Sequence, residues 1–314
     1  MSSIATPPVS AALPVPAAAA RYSPAHLGAL RRFALAITVL TVLGHAVLGF
    51  EQSFAQPVVA MVTAYATQLL LEALEAWSQR RWPRYAGGFG SLIHFLLPAH
   101  ISALAVAMLL YYSDRLLLVA FAAATSIASK TLFRAPQRGQ WRHFFNPSNF
   151  GITVTLFAFP SVGLLPPWQF TTNLGDVLDV LLPIGICALG TMLHLGYAQR
   201  LPLIGAWLCG FVVQALLRAA LFGTSCLASL APMTGVAFVL FTFYMAPDPA
   251  TTPQRPLPQA IFGFTVAAVY GLLMSLHVVD GLFLALTIVC LARGLGLYGI
   301  ALRRPQRLAA SIES

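Results

Sequence analysis

Charged side chains are scarce in this sequence. Only 9% of its 314 residues are Asp, Glu, Lys or Arg, whereas 58% are hydrophobic and the mean hydropathy is +0.79. Soluble domains carry roughly a quarter charged residues and about half apolar ones. The composition therefore excludes a chain folded mainly as a soluble domain. The net charge of +9 does not indicate nucleic-acid binding, because no soluble domain is present to carry a basic face.

The common catalytic and metal-binding motifs are also missing. No G-x-x-x-x-G-K-[ST] loop, H-E-x-x-H helix or G-x-S-x-G elbow occurs, so neither nucleotide hydrolysis nor ordinary hydrolase chemistry is indicated. The four cysteines include no C-x-x-C pair of the kind that metal and cluster sites use. They are Cys187, Cys209, Cys226 and Cys290. We interpret them as packing residues, and we assign neither a metal site nor a catalytic residue.

Long apolar runs take the place of these motifs. A helix of about 20 apolar residues crosses a bilayer core, and lipid admits only helices or closed barrels. The runs predict an all-α polytopic membrane protein with about ten transmembrane helices, at 33–50, 56–77, 92–112, 115–133, 148–165, 177–197, 202–223, 229–246, 258–276 and 281–300. Pro160 and Pro166 are expected to shorten or break the fifth run, and Pro183 and Pro232 to kink their helices.

The remaining segments lie at the two ends of the chain. Residues 1–30 are predicted to be a disordered cytoplasmic N-terminal tail and residues 303–314 a cytoplasmic C-terminal tail. Between them, residues 31–302 are predicted to form a ten-helix domain with halves at about 31–167 and 176–302. Two halves of five spans each predict an inverted repeat, a design that places ligand sites at the repeat interface and at interrupted helices.

Basic residues indicate the orientation of these spans. Short cytoplasmic loops carry an excess of Lys and Arg. If the N-terminus is inside, fifteen of the eighteen basic residues lie on the cytoplasmic side. The three exceptions are Arg115, Arg218 and Arg293. We therefore predict a multi-pass protein of the cell inner membrane, surrounded by the lipid bilayer, with both termini cytoplasmic.

Ionisable residues inside predicted spans are costly and so point to pairing or function. Glu72 and Glu75 lie near a helix end beside basic residues, which favours an ion pair over a substrate role. Arg293 lies in the middle of the last span, and we expect either a buried partner or an anionic ligand for it. We interpret His94 and His100 as histidines bonded within the bundle.

The loop before the fifth span carries a stronger signal. Asn146 and Ser148 are good N-cap residues, and Pro147 suits a first helical turn. A helix N-terminus there would suit an anionic or carbonyl-rich ligand. The side chains available to that ligand are Arg142, His143, Asn149 and the rings of Phe144, Phe145 and Phe150. A plain helix cap with aromatic anchors at the membrane interface is the alternative.

The loop after the eighth span is the second signal. Three prolines within seven residues end the helix in the segment Phe243–Pro253, which also contains Asp248. The interpretation without a ligand is a rigid turn capped by Asp248 and Thr251.

Both loops resemble motifs of a known family. The run Phe145–Asn149 resembles the F-N-P motif, and Met245–Pro253 resembles the A-T-D-P-x-T-S-P motif, of the RnfD and NqrB family of membrane subunits in ion-translocating electron-transport complexes. Arg200–Leu203 and the helix that starts Ile261–Gly263 are also similar to that family. The resemblance covers roughly residues 30–300, and the length is closest to the short stand-alone UnbU-like branch found in enediyne biosynthetic clusters.

The resemblance implies a ten-helix inverted-repeat fold similar to urea transporters, with flavin bound in the membrane. It implies electron transport or its coupling to cation transport, with other membrane redox subunits or a second copy of the chain as partners. The family's S-G-A-T flavin-attachment motif is absent, because the matching region reads Phe170–Asp176. We therefore expect noncovalent FMN or riboflavin, or quinone. The residues implied to bind the cofactor are Phe145, Asn146, Pro147, Asn149, Asp248, Thr251 and Thr252.

Three functions stay open at this point. A redox subunit predicts a bound chromophore between the two loops. A small-molecule or ion transporter on the same fold, without redox activity, predicts a polar path and no chromophore. A scaffold for membrane-associated biosynthesis predicts neither, but an apolar contact face.

Overall fold

The computed structural model of the protein describes residues 24–112, 114–137, 139–166, 170 and 173–303, and most of them are helical. The α-helices are α1 (Pro24–Leu43), α2 (Ala55–Ser78), α3 (Phe89–Leu109), α4 (Leu116–Leu132), α5 (Pro147–Ala158), α6 (Asp176–Leu193), α7 (Leu201–Phe222), α8 (Cys226–Leu230), α9 (Val236–Leu240), α10 (Pro256–Ser275) and α11 (Gly281–Leu302). In these residues, short strands form antiparallel pairs, β1 (Leu110–Tyr111) with β4 (Gly163–Leu164) and β2 (Arg134–Gln137) with β3 (Gln140–His143).

The apolar helices have the dimensions of membrane spans. In the described part of the chain, seven helices are long and apolar enough to cross a membrane, and a bent pair makes an eighth candidate. Their outward faces are apolar too, since Leu181, Leu189 and Met192 on α6 are all exposed. Apolar faces of this kind fit lipid better than water. The protein is therefore all-α, with the helices of a multi-pass membrane protein, as the sequence predicts.

Two of the ten predicted spans are short in the structure. α4 has 17 residues and α5 has 12. The predicted extension of α5 to residue 165 is wrong, because Phe159 is extended with φ −133° and ψ 93°. Phe159 precedes Pro160, and the residue before a proline is pushed out of the helical region. The chain then forms β4, whose Leu164 pairs with Leu110 at the end of α3.

The eighth predicted span is broken. Its two parts, Cys226–Thr234 and Val236–Met245, meet at an angle of 69°. Pro232 lies in the short 3-10 segment just before the bend, so the predicted kink is confirmed there. α6 instead continues as one helix through Pro183.

The predicted N-terminal tail is too long. α1 begins at Pro24, so residues 24–30 are helical rather than disordered, and a proline is well tolerated in a first helical turn. The rest of the predicted tails, residues 1–23 and 304–314, lies outside the described residues.

Two helix contacts have the same order in α1–α5 as in α6–α11, when α8 and α9 are counted as one helix. The second helix packs on the fourth in each half, α2 on α4 and α7 on α10, and the fourth packs on the fifth, α4 on α5 and α10 on α11. Glycines allow close approach in both halves. A Cβ added to Gly263 would lie 2.3 Å from the carbonyl oxygen of Leu203, and one added to Gly151 would lie 2.7 Å from that of Ala122.

The first helices of the two halves end in the same way. α1 runs into a five-residue π turn, Gly44–Leu48, and α6 into another, His194–Ala198. Each turn begins three residues after a threonine whose hydroxyl donates to the carbonyl four residues earlier, at 2.8 Å in both cases. Each turn is closed by a left-handed residue, Gly49 with φ 73° and Gln199 with φ 52°.

Glu72 and Glu75 form an ion-pair network at the end of α2, as predicted. Arg81 Nη1 donates to Glu72 Oε1 at 2.6 Å, and Arg84 Nη2 donates to Glu75 Oε2 at 3.1 Å. Arg134 Nη1 adds a 2.7 Å bond to Glu75 Oε1. The network joins α2 to the segment after it and to the start of β2.

His100 is bonded within the bundle, which confirms its predicted role. Its Nδ1 lies 2.6 Å from the hydroxyl of Tyr65 on α2, and its Nε2 lies 2.7 Å from that of Thr38 on α1. One side chain of α3 thus joins three helices.

Candidate functional site

The first loop is a hairpin that leads into α5. Gly139 turns the hairpin with φ +77°, a conformation that favours glycine. Asn146 begins α5, because its Oδ1 accepts a 3.0 Å bond from the backbone N–H of Asn149, and Pro147 occupies the first turn. The Ser148 hydroxyl donates to the same Oδ1 at 2.9 Å. The N-cap is therefore Asn146, and Ser148 supports it.

The phenylalanines of this loop pack against one another. The Phe145 ring lies 4.6 Å from the ring centroids of both Phe144 and Phe150, and 5.3 Å from that of Phe133. Phe144 and Phe145 are each only 4% exposed. The suggestion that they anchor the loop at the membrane interface is therefore wrong. They form an aromatic cluster inside the protein, next to the start of α5.

Asp248 organises the second loop. Its Oδ1 accepts from the backbone N–H of Ala250 at 3.0 Å, and its Oδ2 accepts from the Thr251 hydroxyl at 3.1 Å. Its carbonyl oxygen accepts from the Thr252 hydroxyl at 2.6 Å. This is the rigid turn that the sequence predicts, with Asp248 as its cap.

Two arginines from distant parts of the chain fix this turn. Arg200, just before α7, donates from Nε to the Thr252 hydroxyl at 3.0 Å and is almost completely buried. Arg293, on α11, donates from Nη1 to the Thr251 carbonyl at 2.9 Å. Burial lowers the pKa of Arg200, and the charge of Asp248 opposes that change.

The two loops meet in the structure. Asn146 donates from Nδ2 to the carbonyl of Met245 at 3.1 Å. Asn149 donates to α11, to the Phe283 carbonyl at 3.0 Å and to the Thr287 hydroxyl at 2.8 Å. In the described part of the chain, the buried Oδ1 of Asn149 has no hydrogen-bond partner. That atom is an unpaired acceptor beside the junction of the two loops.

A polar cavity of about 70 Å³ lies between the hairpin, the second loop and α11. Its lining includes Gln137, Arg142, Thr252 and Arg293. The Nη2 atom of Arg293 lies 3.4 Å from Gln137 Oε1. The buried Nε2 of Gln137 has no partner among the described residues. The cavity is therefore lined by two arginines and by Gln137, whose buried amide nitrogen is a spare donor.

His143 pairs with Arg134 at the end of the hairpin away from its turn. Burial lowers its pKa to about 4, and the charges of Lys130, Arg134 and Arg142 act in the same direction, against that of Asp248. His143 is therefore uncharged at neutral pH.

The structure brings the predicted site residues together beside α11, but as parts of a bonded framework. Phe145, Asn146, Asn149, Thr251 and Thr252 are all buried, and the four polar ones are bonded to other parts of the protein. Gln137 and Thr287 were not predicted as site residues, because neither is unusual for its place in the sequence. Arg200 had a visible signal, since it stands alone between two apolar runs.

No protein-family model and no curated protein matches this chain.

Proposed function

We propose that the chain is an electron-transport or ion-transport protein of the RnfD and NqrB type that holds FMN or riboflavin noncovalently where the two loops meet. The observation that carries this proposal is the bond from Asn146 to the Met245 carbonyl, which joins the two family-like loops. The unpaired Oδ1 of Asn149 would accept from a ring N–H of a flavin. The aromatic cluster around Phe145 supplies apolar surface beside it.

The proposal includes the ten-helix inverted repeat. The packing of α2 on α4 matches that of α7 on α10, and the π turns after α1 and α6 match in length and in their closing residue. In inverted-repeat proteins, ligand sites lie where the halves meet. The bonds from Asn149 of the first half to α11 of the second lie at such a place.

The proposed orientation puts both termini and both loops on the cytoplasmic side of the inner membrane. It rests on the basic residues around the two loops, because positive charge collects in cytoplasmic loops. Reporter domains fused after residue 303 and inserted at residue 254 test it. A reporter active only in the periplasm should stay inactive at both positions. Activity at either position contradicts the orientation.

The test of flavin binding is an absorbance spectrum of the protein purified in mild detergent. Flavin bands that are released on denaturation support the proposal, and a folded, colourless protein refutes it. Asp248→Ala and Asn146→Ala should abolish the bands without preventing membrane insertion. Asp114→Ala, at an exposed acid in another loop, is the matched control and should keep them.

A second candidate function is the transport of a small molecule or ion without redox activity. The bend of 69° in the eighth span favours it, because interrupted helices commonly carry transporter ligands at their free backbone groups. This candidate predicts a colourless protein whose variants at Gly235, in the break, lose transport in proteoliposomes. Flavin bands in the purified protein would instead favour the redox function.

A further inference from the structure

We propose that the cavity between the β2–β3 hairpin, the second loop and α11 binds the phosphate group of a phosphomonoester. The proposal does not require a bound flavin ring, because it concerns other side chains and only the phosphate group. FMN carries a phosphomonoester and is therefore one ligand of this class. The residues proposed to contact the phosphate are the charged Arg142 and Arg293 and the neutral amide of Gln137.

The charge balance at the cavity favours an anion. Among the described residues, no carboxylate oxygen lies within 4.0 Å of the guanidinium groups of Arg142, Arg200 or Arg293. Asp248 is the nearby acid, and both of its carboxylate oxygens are bonded within its own loop. The arginines of the Glu72 and Glu75 network, in contrast, all have carboxylate partners.

The hydrogen-bonding groups suit an acceptor-rich ligand. Gln137 Oε1 lies near Arg293, so its amide nitrogen is left over, buried and without a partner in the described part of the chain. A buried donor without an acceptor is destabilising, and contact with a phosphate oxygen would remove that cost. Guanidinium groups match phosphate geometry through paired N–H donors.

The size of the cavity also fits. A water molecule needs roughly 10–15 Å³ of such space, so a cavity of about 70 Å³ holds a group of about five heavy atoms. A tetrahedral phosphate has that size. A whole drug-sized ligand needs about 300 Å³ or more, so only the anionic end of a larger molecule would enter.

The experiment is calorimetric titration of the full-length purified protein with inorganic phosphate at constant ionic strength. We expect saturable binding to the wild-type protein. Arg142→Gln and Arg293→Gln should each weaken it about tenfold or more, as expected for the loss of one charge-assisted contact. Gln137→Leu should weaken it several-fold. No saturable binding to the folded wild-type protein would overturn the proposal.

Arg255→Gln is the matched control, because Arg255 is exposed, follows the cavity-lining Gln254 directly at the start of α10, and does not itself line the cavity. Its binding should equal that of the wild-type protein. An equal loss in Arg255→Gln and Arg142→Gln would mean a general effect of surface charge and would refute the site. Arg293 also holds the second loop, so the exposed Arg142 supplies the variant that leaves the loop contacts in place.

The same titration in lipid nanodiscs distinguishes two sources of the group. Phosphatidic acid carries a phosphomonoester headgroup, and phosphatidylcholine does not. If the ligand is a lipid headgroup, phosphatidic acid should compete for the site. Inorganic phosphate should then bind more weakly in nanodiscs with phosphatidic acid than in nanodiscs of phosphatidylcholine alone, and Arg142→Gln should remove this difference. Equal binding in both identifies a soluble phosphomonoester.

Discussion

The side chain of Asn146 donates to the carbonyl of Met245, 99 residues further along the chain, at a distance of 3.1 Å. The same side chain caps α5 through its oxygen. One asparagine thus starts a helix and ties it to the end of the broken eighth span. Its two functions can be separated by mutation.

Asn146→Ala should lower the free energy of unfolding by about 1–3 kcal/mol, since it removes a helix cap and a buried hydrogen bond. Asn146→Ser keeps a capping oxygen but loses the amide donor, so we expect a smaller loss. Unfolding in mixed micelles of mild detergent and SDS measures both. Equal losses in the two variants would show that the cap contributes nothing.

The hydroxyl of Thr287 on α11 makes two hydrogen bonds to α5. It accepts from Asn149 Nδ2 at 2.8 Å, and it lies 2.8 Å from the Thr153 hydroxyl. Thr287→Val should cost about 0.6 kcal/mol, the average measured for interhelical hydrogen bonds in a membrane protein, and at most about 1.7 kcal/mol. Thr265→Val is the control, because Thr265 is exposed and its hydroxyl donates to the Ile261 carbonyl of its own helix. A loss of the same size in both variants would contradict a role for the contact between α5 and α11.

Glu72 accepts from two arginines and from the backbone N–H of Arg84, and its side chain is 1% exposed. Glu72→Gln should destabilise the protein by about 1.5–3 kcal/mol, the usual range for hydrogen bonds to a charged group. The exposed Glu51 provides the control, Glu51→Gln, which should leave stability unchanged. The apparent Tm of the purified protein reports both changes, and an unchanged Tm in Glu72→Gln would mean that the network adds no stability.

Gly263 lets α10 approach α7 closely, since an added Cβ would lie 2.3 Å from the Leu203 carbonyl oxygen and 3.0 Å from the Trp207 nitrogen. Gly263→Ala should therefore cost about 1–3 kcal/mol through overpacking. Gly205→Ala, on α7, meets no atom within 4 Å and should be neutral or slightly stabilising. Unfolding in mixed micelles distinguishes them, and a neutral Gly263→Ala would contradict the close packing.

His143 should make stability depend on pH. Its pKa is about 4 in the folded protein, against an ordinary value of 6.5, so the unfolded chain binds the proton first as pH falls. The contribution of His143 to the free energy of unfolding is fully present above about pH 6.5. It is lost as pH falls from about 6.5 to 4, because in this range the unfolded state binds more protons than the folded state. Apparent Tm measured from pH 7.5 to 4.5 should fall less steeply for His143→Gln than for the wild-type protein. Parallel curves would contradict the assignment.

The sequence alone located the helical segments and the two caps. Composition and run length give the all-α membrane class, because lipid leaves few alternatives to apolar helices. The Asn146 cap and the Asp248 turn follow from local hydrogen-bonding chemistry, which depends only on residues three or four positions apart. For the same reason the helix end at Pro160 and the bend at Pro232 were predicted, although Pro183, with the same local signal, lies within one continuous helix.

The tertiary structure decided everything that depends on distant residues. Asn146 meets Met245, Arg293 meets Thr251, and Gln137 is left with a spare amide, and no local pattern encodes these contacts. The phenylalanines of the first loop were expected to be available to a ligand or to the membrane interface, and they pack on one another instead. Side-chain burial of this kind is set by the packing of whole helices, and a single sequence contains no direct record of it.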